Sequence, residues 1–350
     1  MKKNIFVFFL LSLLFVEIKA QDPQFSQFYA APLYHNPAFA GATQKGRMIG
    51  NFRSQWGGTY ITSSFSTDNF IRKYNSGVGF IATIDRQGTA GLYSLYTSAN
   101  YAYEVSLSSH WVARGGLAIG IINRGFNRDK ILLGDRLQLD GNLGPQSDAI
   151  AGLQTSPVLK FDISSGFLIY SKYFWFGGSA MHMTRPNLNL NNQLNLAADE
   201  RTLDDARLPI FFNLMTGFKI PLEKRLYGSN YGNKYVEKTI TPTIIYKQQG
   251  YLIRQMDIGA YVTIKPLVFG LYYRDIPFMR DNTRGAFNRD ALIFLLGFKH
   301  DYISAGYSFD LNISKLAGSA GNTHELSFSY EFDNPKRKRR KQPPIPCPKF

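Results

Sequence analysis

Hydrophobic and polar residues alternate twice near the end of the chain. Ile303, Ala305, Tyr307, Phe309 and Leu311 interleave with Ser304, Gly306, Ser308 and Asp310, and Leu326, Phe328, Tyr330 and Phe332 interleave with Glu325, Ser327, Ser329 and Glu331. Successive side chains of a strand point to opposite faces, so each segment has one apolar and one polar face. A soluble sandwich has such strands too. Here the apolar face is rich in aromatic residues, the other carries Ser, Gly and acids, and the last alternating segment stops on an aromatic. That pattern predicts an antiparallel transmembrane β-barrel with lipid outside and polar groups inside.

The same reading along the chain gives fourteen strands, centred near residues 50, 64, 80, 97, 118, 162, 178, 213, 241, 258, 270, 294, 306 and 328. An even number returns both ends of the barrel to one side of the membrane. With that side periplasmic, the connections at 123–153, 184–206, 276–288 and 312–322 fall outside and are long, and those near 105–109, 170–173, 264–267 and 299–302 fall inside and are short. The segment 220–236 breaks the rule, a long inner connection where a strand is missed or doubled. Leu159, Phe161, Ile163, Phe167 and Ile169 alternate with Lys160, Asp162, Ser164 and Gly166, which predicts a buried Lys160–Asp162 pair on the luminal face. Arg274 and Tyr272 point inward by the same parity. Trp56, Tyr60, Tyr173 and Trp175 stand at strand ends, where interfacial girdles place aromatics.

Residues 1–20 read as a secretory leader: Lys2 and Lys3, an apolar run from Ile5 to Val16, and Ala20 before the cleavage point. The run is too short to span a bilayer, and Gln21 in place of Cys argues against a lipid anchor. The net charge is +15; removing the leader takes away three lysines and one glutamate, leaving +13, of which Lys336–Lys341 and Lys349 supply seven in the Pro-rich tail 333–350. The charge is therefore local to a tail expected to be disordered, which speaks against a nucleic-acid surface. Cys347 is the only cysteine, so no disulfide within the chain holds the fold.

The stretch between leader and first strand, residues 21–45, does not alternate. It reads QDPQFSQFYAAPLYHNPAFAGATQK, dense in Pro and aromatics, and is expected to be an ordered periplasmic arm or a plug in the lumen of a barrel that spans 46–332. Here, at FRSQW (52–56), and at the closing run YSFDLNISKLAGSAGNTHELSFSYEF, the chain resembles the PorP/SprF family of outer-membrane proteins of the type IX secretion system of Bacteroidetes. Asp22, Pro23, Phe25, Ser26, Gln27, Pro32, Leu33, Asn36, Pro37, Ala38, Ala40 and Gly41 fit the family opening; Ala31 and Phe28 depart from it, standing where Asn and Tyr are common. The resemblance implies an outer-membrane barrel without known chemistry that serves secretion or gliding. Its implied partners are a secreted surface adhesin or other type IX cargo, periplasmic secretion components and membrane lipid. It nominates Asp22, Pro23, Phe25, Ser26, Gln27, Pro32, Asn36, Pro37 and Gly41 as partner-binding or plug residues, and the luminal set is Lys160, Asp162 and Arg274.

No enzyme, cofactor or metal motif stands out. The five histidines are scattered without metal spacing, and GVGFIA (77–82) copies a dinucleotide fingerprint only inside a strand. The acids of AADERTLDDARLP (197–209) are interrupted by arginines and lack EF-hand order. The leading expectation is a non-enzymatic barrel that secretes or anchors an adhesin. The alternative is a diffusion channel or solute transporter, since fourteen strands can enclose an open lumen.

Overall fold

The computed structural model describes residues 22–43, 45–88, 91–126, 156–190, 207–223, 226–227, 234–235, 238–250, 253–275, 289–314 and 321–332. Residues 1–21, where a secretory leader is expected, residues 333–350 and most of the long connections lie outside the described residues.

Fourteen antiparallel strands form the wall: β1 (Gly46–Gln55), β2 (Tyr60–Ile71), β3 (Ser76–Gln87), β4 (Leu92–Ser106), β5 (Val112–Gly125), β6 (Val158–Tyr170), β7 (Phe174–Met181), β8 (Phe211–Phe218), β9 (Lys238–Gln249), β10 (Ile253–Ile264), β11 (Leu267–Asp275), β12 (Arg289–His300), β13 (Ile303–Asn312) and β14 (Thr323–Phe332). Each pairs with its sequence neighbours. β14 pairs with β1 over ten residues, from Gly46 opposite Phe332 to Gln55 opposite Thr323, so the sheet closes and leaves no edge. The anomalous segment after β8 adds no strand to the wall. Ile220–Glu223 prolongs the pairing with β9, and Leu226–Tyr227 pairs with Lys234–Tyr235 as a small ladder.

The period-2 pattern sorts the side chains as predicted. At least forty large apolar side chains among the described residues are more than a third exposed, including Phe52, Phe80, Ile119, Phe161, Phe294 and Phe328. A water-soluble monomer does not carry such a continuous apolar surface, whereas a bilayer covers it. The opposite face buries Asp68, Asp85, Asn100, Asp162, Asp257 and Asp310. No described helix is long and apolar enough to cross a membrane. The turns 72–75, 107–111, 171–173, 265–266 and 301–302 gather at one end, the short-turn end, together with the connection after β8, and the other long connections lie at the opposite end.

Trp175 corrects the girdle assignment. It is 0% exposed and faces inward, because its parity along β7 is that of Gly177 and Ser179, whereas Tyr173 stands exposed at the strand end.

Candidate functional site

The lumen is filled by the chain's own residues 22–43. This segment enters at the long-loop end, where Asp22 bonds Gln249 and His182, and leaves at the short-turn end, where Gly41 N donates to Asp68 Oδ2 at 2.8 Å just before β1. Prolines and small residues make it a chain of single turns: Phe28–Ala30 and Pro37–Phe39 are 3-10 turns and Pro32–His35 is one α-helical turn. Pro32 and Pro37 occupy first-turn positions where a missing N–H costs nothing. Asn36 Oδ1 accepts from Ala38 N at 2.8 Å and caps the last of these turns.

A charged lattice holds the first part. Ser26 Oγ donates to Asp310 Oδ2 at 2.6 Å and accepts from Arg53 Nη1 at 2.7 Å and Arg274 Nη2 at 2.9 Å, which uses its one proton and both lone pairs. Glu325 accepts from the backbone N–H groups of Ser26 and Gln27 at 2.8 and 3.1 Å and from Arg53 at 2.9 Å. Arg274 also reaches Asp257 and Asp310, at 2.9 and 3.1 Å, and Lys247 Nζ donates to Asp257 and to Phe25 O, both at 3.3 Å. Three cations, Arg53, Arg274 and Lys247, thus balance three carboxylates, Asp257, Asp310 and Glu325, all buried. Charges this deep persist because each is paired and hydrogen-bonded.

Below the lattice the contacts turn aromatic and then backbone-directed. Phe28 stacks on Trp175 at 6.0 Å and meets Tyr261 and Tyr272 at 5.9 and 6.4 Å, and Tyr29 sets its edge on Tyr261 at 5.0 Å. The Phe28 ring packs in this cluster without need of the hydroxyl a Tyr would bring. Asn36 Nδ2 donates to the carbonyls of Phe167 and Gly178 at 2.9 and 3.0 Å. Arg114, paired with Glu104 at 2.7 Å, donates from Nε to Ala38 O at 2.9 Å and from Nη2 to Ala40 O. Wall glycines make room: a Cβ on Gly116 would stand 2.6 Å from Ala38 Cα and Pro37 C, and one on Gly306 would stand 2.6 Å from Gln27 Oε1.

At the long-loop end Asp22, Tyr34, Asp85, Tyr96, Arg124 and His182 line a cavity of about 40 Å3, room for water-sized groups only. His182 Nε2 lies 3.0 Å from Asp22 Oδ2 and its Nδ1 2.9 Å from Asp162 Oδ2. Burial alone would lower its pKa; the pull of Asp22 and Asp162 outweighs burial and pushes it up to about 10.

Of the residues nominated from sequence, Asp22, Pro23, Phe25, Ser26, Gln27, Pro32, Asn36, Pro37 and Gly41 all belong to the segment inside the lumen. Arg274 sits at the centre of the lattice. Asp162 is buried, but not against Lys160, which is exposed near the long-loop end. Residues two apart on one strand share a face, but here the Asp162 carboxylate is taken by His182 and Thr184 from beyond the neighbouring strand. Sequence reasoning passed over Arg53, Arg114, Lys247 and Asp257; their signal was an isolated charge on an otherwise small or polar luminal parity. The acids of 197–205 lie outside the described residues, and among the described residues no cluster of His, Cys, Asp and Glu is arranged to hold a metal ion.

Among solved structures the chain is similar to the toluene transporter TodX of P. putida (9% identity, covering 85% of this chain and 93% of that one, TM-score 0.42). It is similar also to Omp33 of Acinetobacter baumannii (6% identity, covering 83% and 100%, TM-score 0.38). A third is BamA of Haemophilus ducreyi lacking POTRA domains 1-3 (9% identity, covering 83% and 70%, TM-score 0.38). A comparison with curated proteins finds no match. The family model for the type IX secretion system membrane protein PorP/SprF matches residues 17–330, nearly the whole chain, and agrees with the closed, lipid-facing barrel built above. The chain is an outer-membrane barrel that belongs to the PorP/SprF family of type IX secretion system membrane proteins.

Proposed function

We propose that the protein is a plugged, non-enzymatic scaffold of type IX secretion that binds, secretes or anchors a large surface adhesin or a secretion component. The observation that carries this reading is the lumen: residues 22–43 occupy it from one mouth to the other and are held to its wall by charged, aromatic and backbone-directed contacts in turn. A diffusion channel needs that space open. Work on a protein partner therefore falls to the two mouths, and at the long-loop mouth a partner meets Asp22 and Pro23 beside the cavity.

Loop lengths support an orientation with the long connections outside and the short turns, with the tail, in the periplasm. The arm then begins at the outer mouth and descends to the periplasmic one. Deleting the gene product is expected to remove one or a few large proteins from the cell surface while small-solute uptake stays normal; an unchanged surface proteome would refute the role. The single cysteine, Cys347, tests the orientation, since it should escape a membrane-impermeant maleimide on intact cells and react once the outer membrane is permeabilised.

A further inference from the structure

Arg47, Arg53, Arg114 and Arg274 on the luminal face each hold a carboxylate, at 2.9, 2.9, 2.7 and 2.9 Å. Arg124, on the same face at the long-loop end of β5, has no carboxylate within 4.0 Å among the described residues. Asp85, at the same end of β3, is a buried acid with no cation within that distance; Thr62 Oγ1 and Gln87 Nε2 donate to its two oxygens, both at 2.6 Å. The register sets the two side by side. Asp85 and Arg124 both stand opposite Ser94 of β4, one on each side of it, so their backbones lie roughly 10 Å apart, two strand spacings. A short Asp and a long Arg could close that distance over the small serine, yet they leave a gap, and the gap belongs to the cavity of about 40 Å3. Asp22, bonded to Gln249 and His182, stands on its inner side, and Ile122, Leu188 and Leu208 give it one apolar side.

We infer that this split pair receives the primary amide of an asparagine or glutamine side chain from the protein partner. An amide carbonyl accepts from the Arg124 guanidinium while its NH2 group donates to Asp85, so one uncharged group satisfies both walls. A carboxylate would suit Arg124 but meet repulsion from Asp85 and Asp22, and an ammonium would suit the acids but meet repulsion from Arg124 and His182. Size and surface agree with an amide. The cavity has room for about three water-sized groups, and an amide brings one carbon, one oxygen and one nitrogen. The methylene stem behind it has Ile122, Leu188 and Leu208 to lie against. The inference rests on the reading that a protein partner works at the long-loop mouth, and adds the chemical group by which that partner is recognised.

The test titrates protein purified from the outer membrane with the acetyl N-methylamide derivatives of glutamine, glutamate, lysine and methionine, read by saturation-transfer NMR. The glutamine derivative should bind at least roughly tenfold more tightly than the other three. Arg124→Met and Asp85→Leu should each remove that preference, while Arg86→Gln, a charge lost from the outer face of β3, should keep it; heat-dependent gel mobility shows each variant folded. Absence of binding by the glutamine derivative would overturn the inference, as would equally tight binding of any of the other three or a preference that survives both substitutions. Free glutamine bound more tightly than its capped form would assign the cavity to a small solute and also overturn it. The secretion role is judged separately, on the surface proteome.

Discussion

Gly116→Ala separates the inner segment from the wall that surrounds it. Gly116 lies in β5, opposite Ala102 and Gly166, and its missing side chain faces the lumen. A Cβ there would approach Ala38 Cα and Pro37 C to 2.6 Å, where ordinary contact begins at 3.4 Å, and both neighbours are backbone that cannot swing aside. The inner segment must retreat by roughly 1 Å, which stretches the 2.9 Å bond from Arg114 Nε to Ala38 O past hydrogen-bond range and loosens the one to Ala40 O. Hydrogen bonds from an ionised donor contribute about 1.5–3 kcal/mol each, so losing one and loosening the other weakens retention by about 3 kcal/mol, or roughly a hundredfold in the closed-to-open ratio. Gly115→Ala is the matched control, since nothing lies within 4 Å of its Cβ position. Hydrogen exchange at residues 34–41 should accelerate strongly in Gly116→Ala and stay unchanged in Gly115→Ala, with the wall strands protected in both. Unaltered exchange at 34–41 in Gly116→Ala would refute the close docking of this segment.

Three further outcomes follow from the same geometry. Ser26→Ala removes a hydroxyl that bridges Asp310, Arg53 and Arg274, and should cost about 3 kcal/mol of segment retention, read as roughly a hundredfold rise in protease cleavage near residues 24–28; wild-type resistance would contradict the lattice. His182 has its pKa raised, so its stabilisation of the Asp22 end is complete below the ordinary histidine value and fades as pH climbs through about 10. A spin label at Gln24 should gain mobility over that range in the wild type, and no such pH-dependent gain should be seen in His182→Phe. Phe294→Lys puts a charge near the middle of the lipid face of β12 and should lower barrel stability in lipid by about 2–4 kcal/mol in a denaturant titration, whereas a neutral result would mean that face does not meet hydrocarbon.

All fourteen strands and the place of Arg274 were legible because a two-residue period survives in any sequence where one face meets lipid and the other does not. The wall residues Asp310 and Glu325 already stood on the polar parity of their strands. Which charges meet was not legible: Arg53 reaches Glu325 across 272 positions of sequence, and the partner of each depends on what fills the lumen between them. The composition of residues 21–45 argued for order but carried no period from which to read a route. Trp175 was misplaced because proximity to a strand end was weighed above parity, and parity alone puts it inside. The expected Lys160–Asp162 pair failed for the related reason that sharing a face does not supply contact. His182 follows the last residue of β7, where a period gives no direction, and of its two carboxylate partners one, Asp162, stands in the preceding strand while the other, Asp22, belongs to the segment inside the lumen.

The central claim is that the chain closes its own lumen. Protein purified from the outer membrane should show no steady conductance in planar bilayers, while Gly116→Ala should open frequently to a channel of stable size. A wild-type protein that conducts continuously, at the level of the opened variant, would contradict the account.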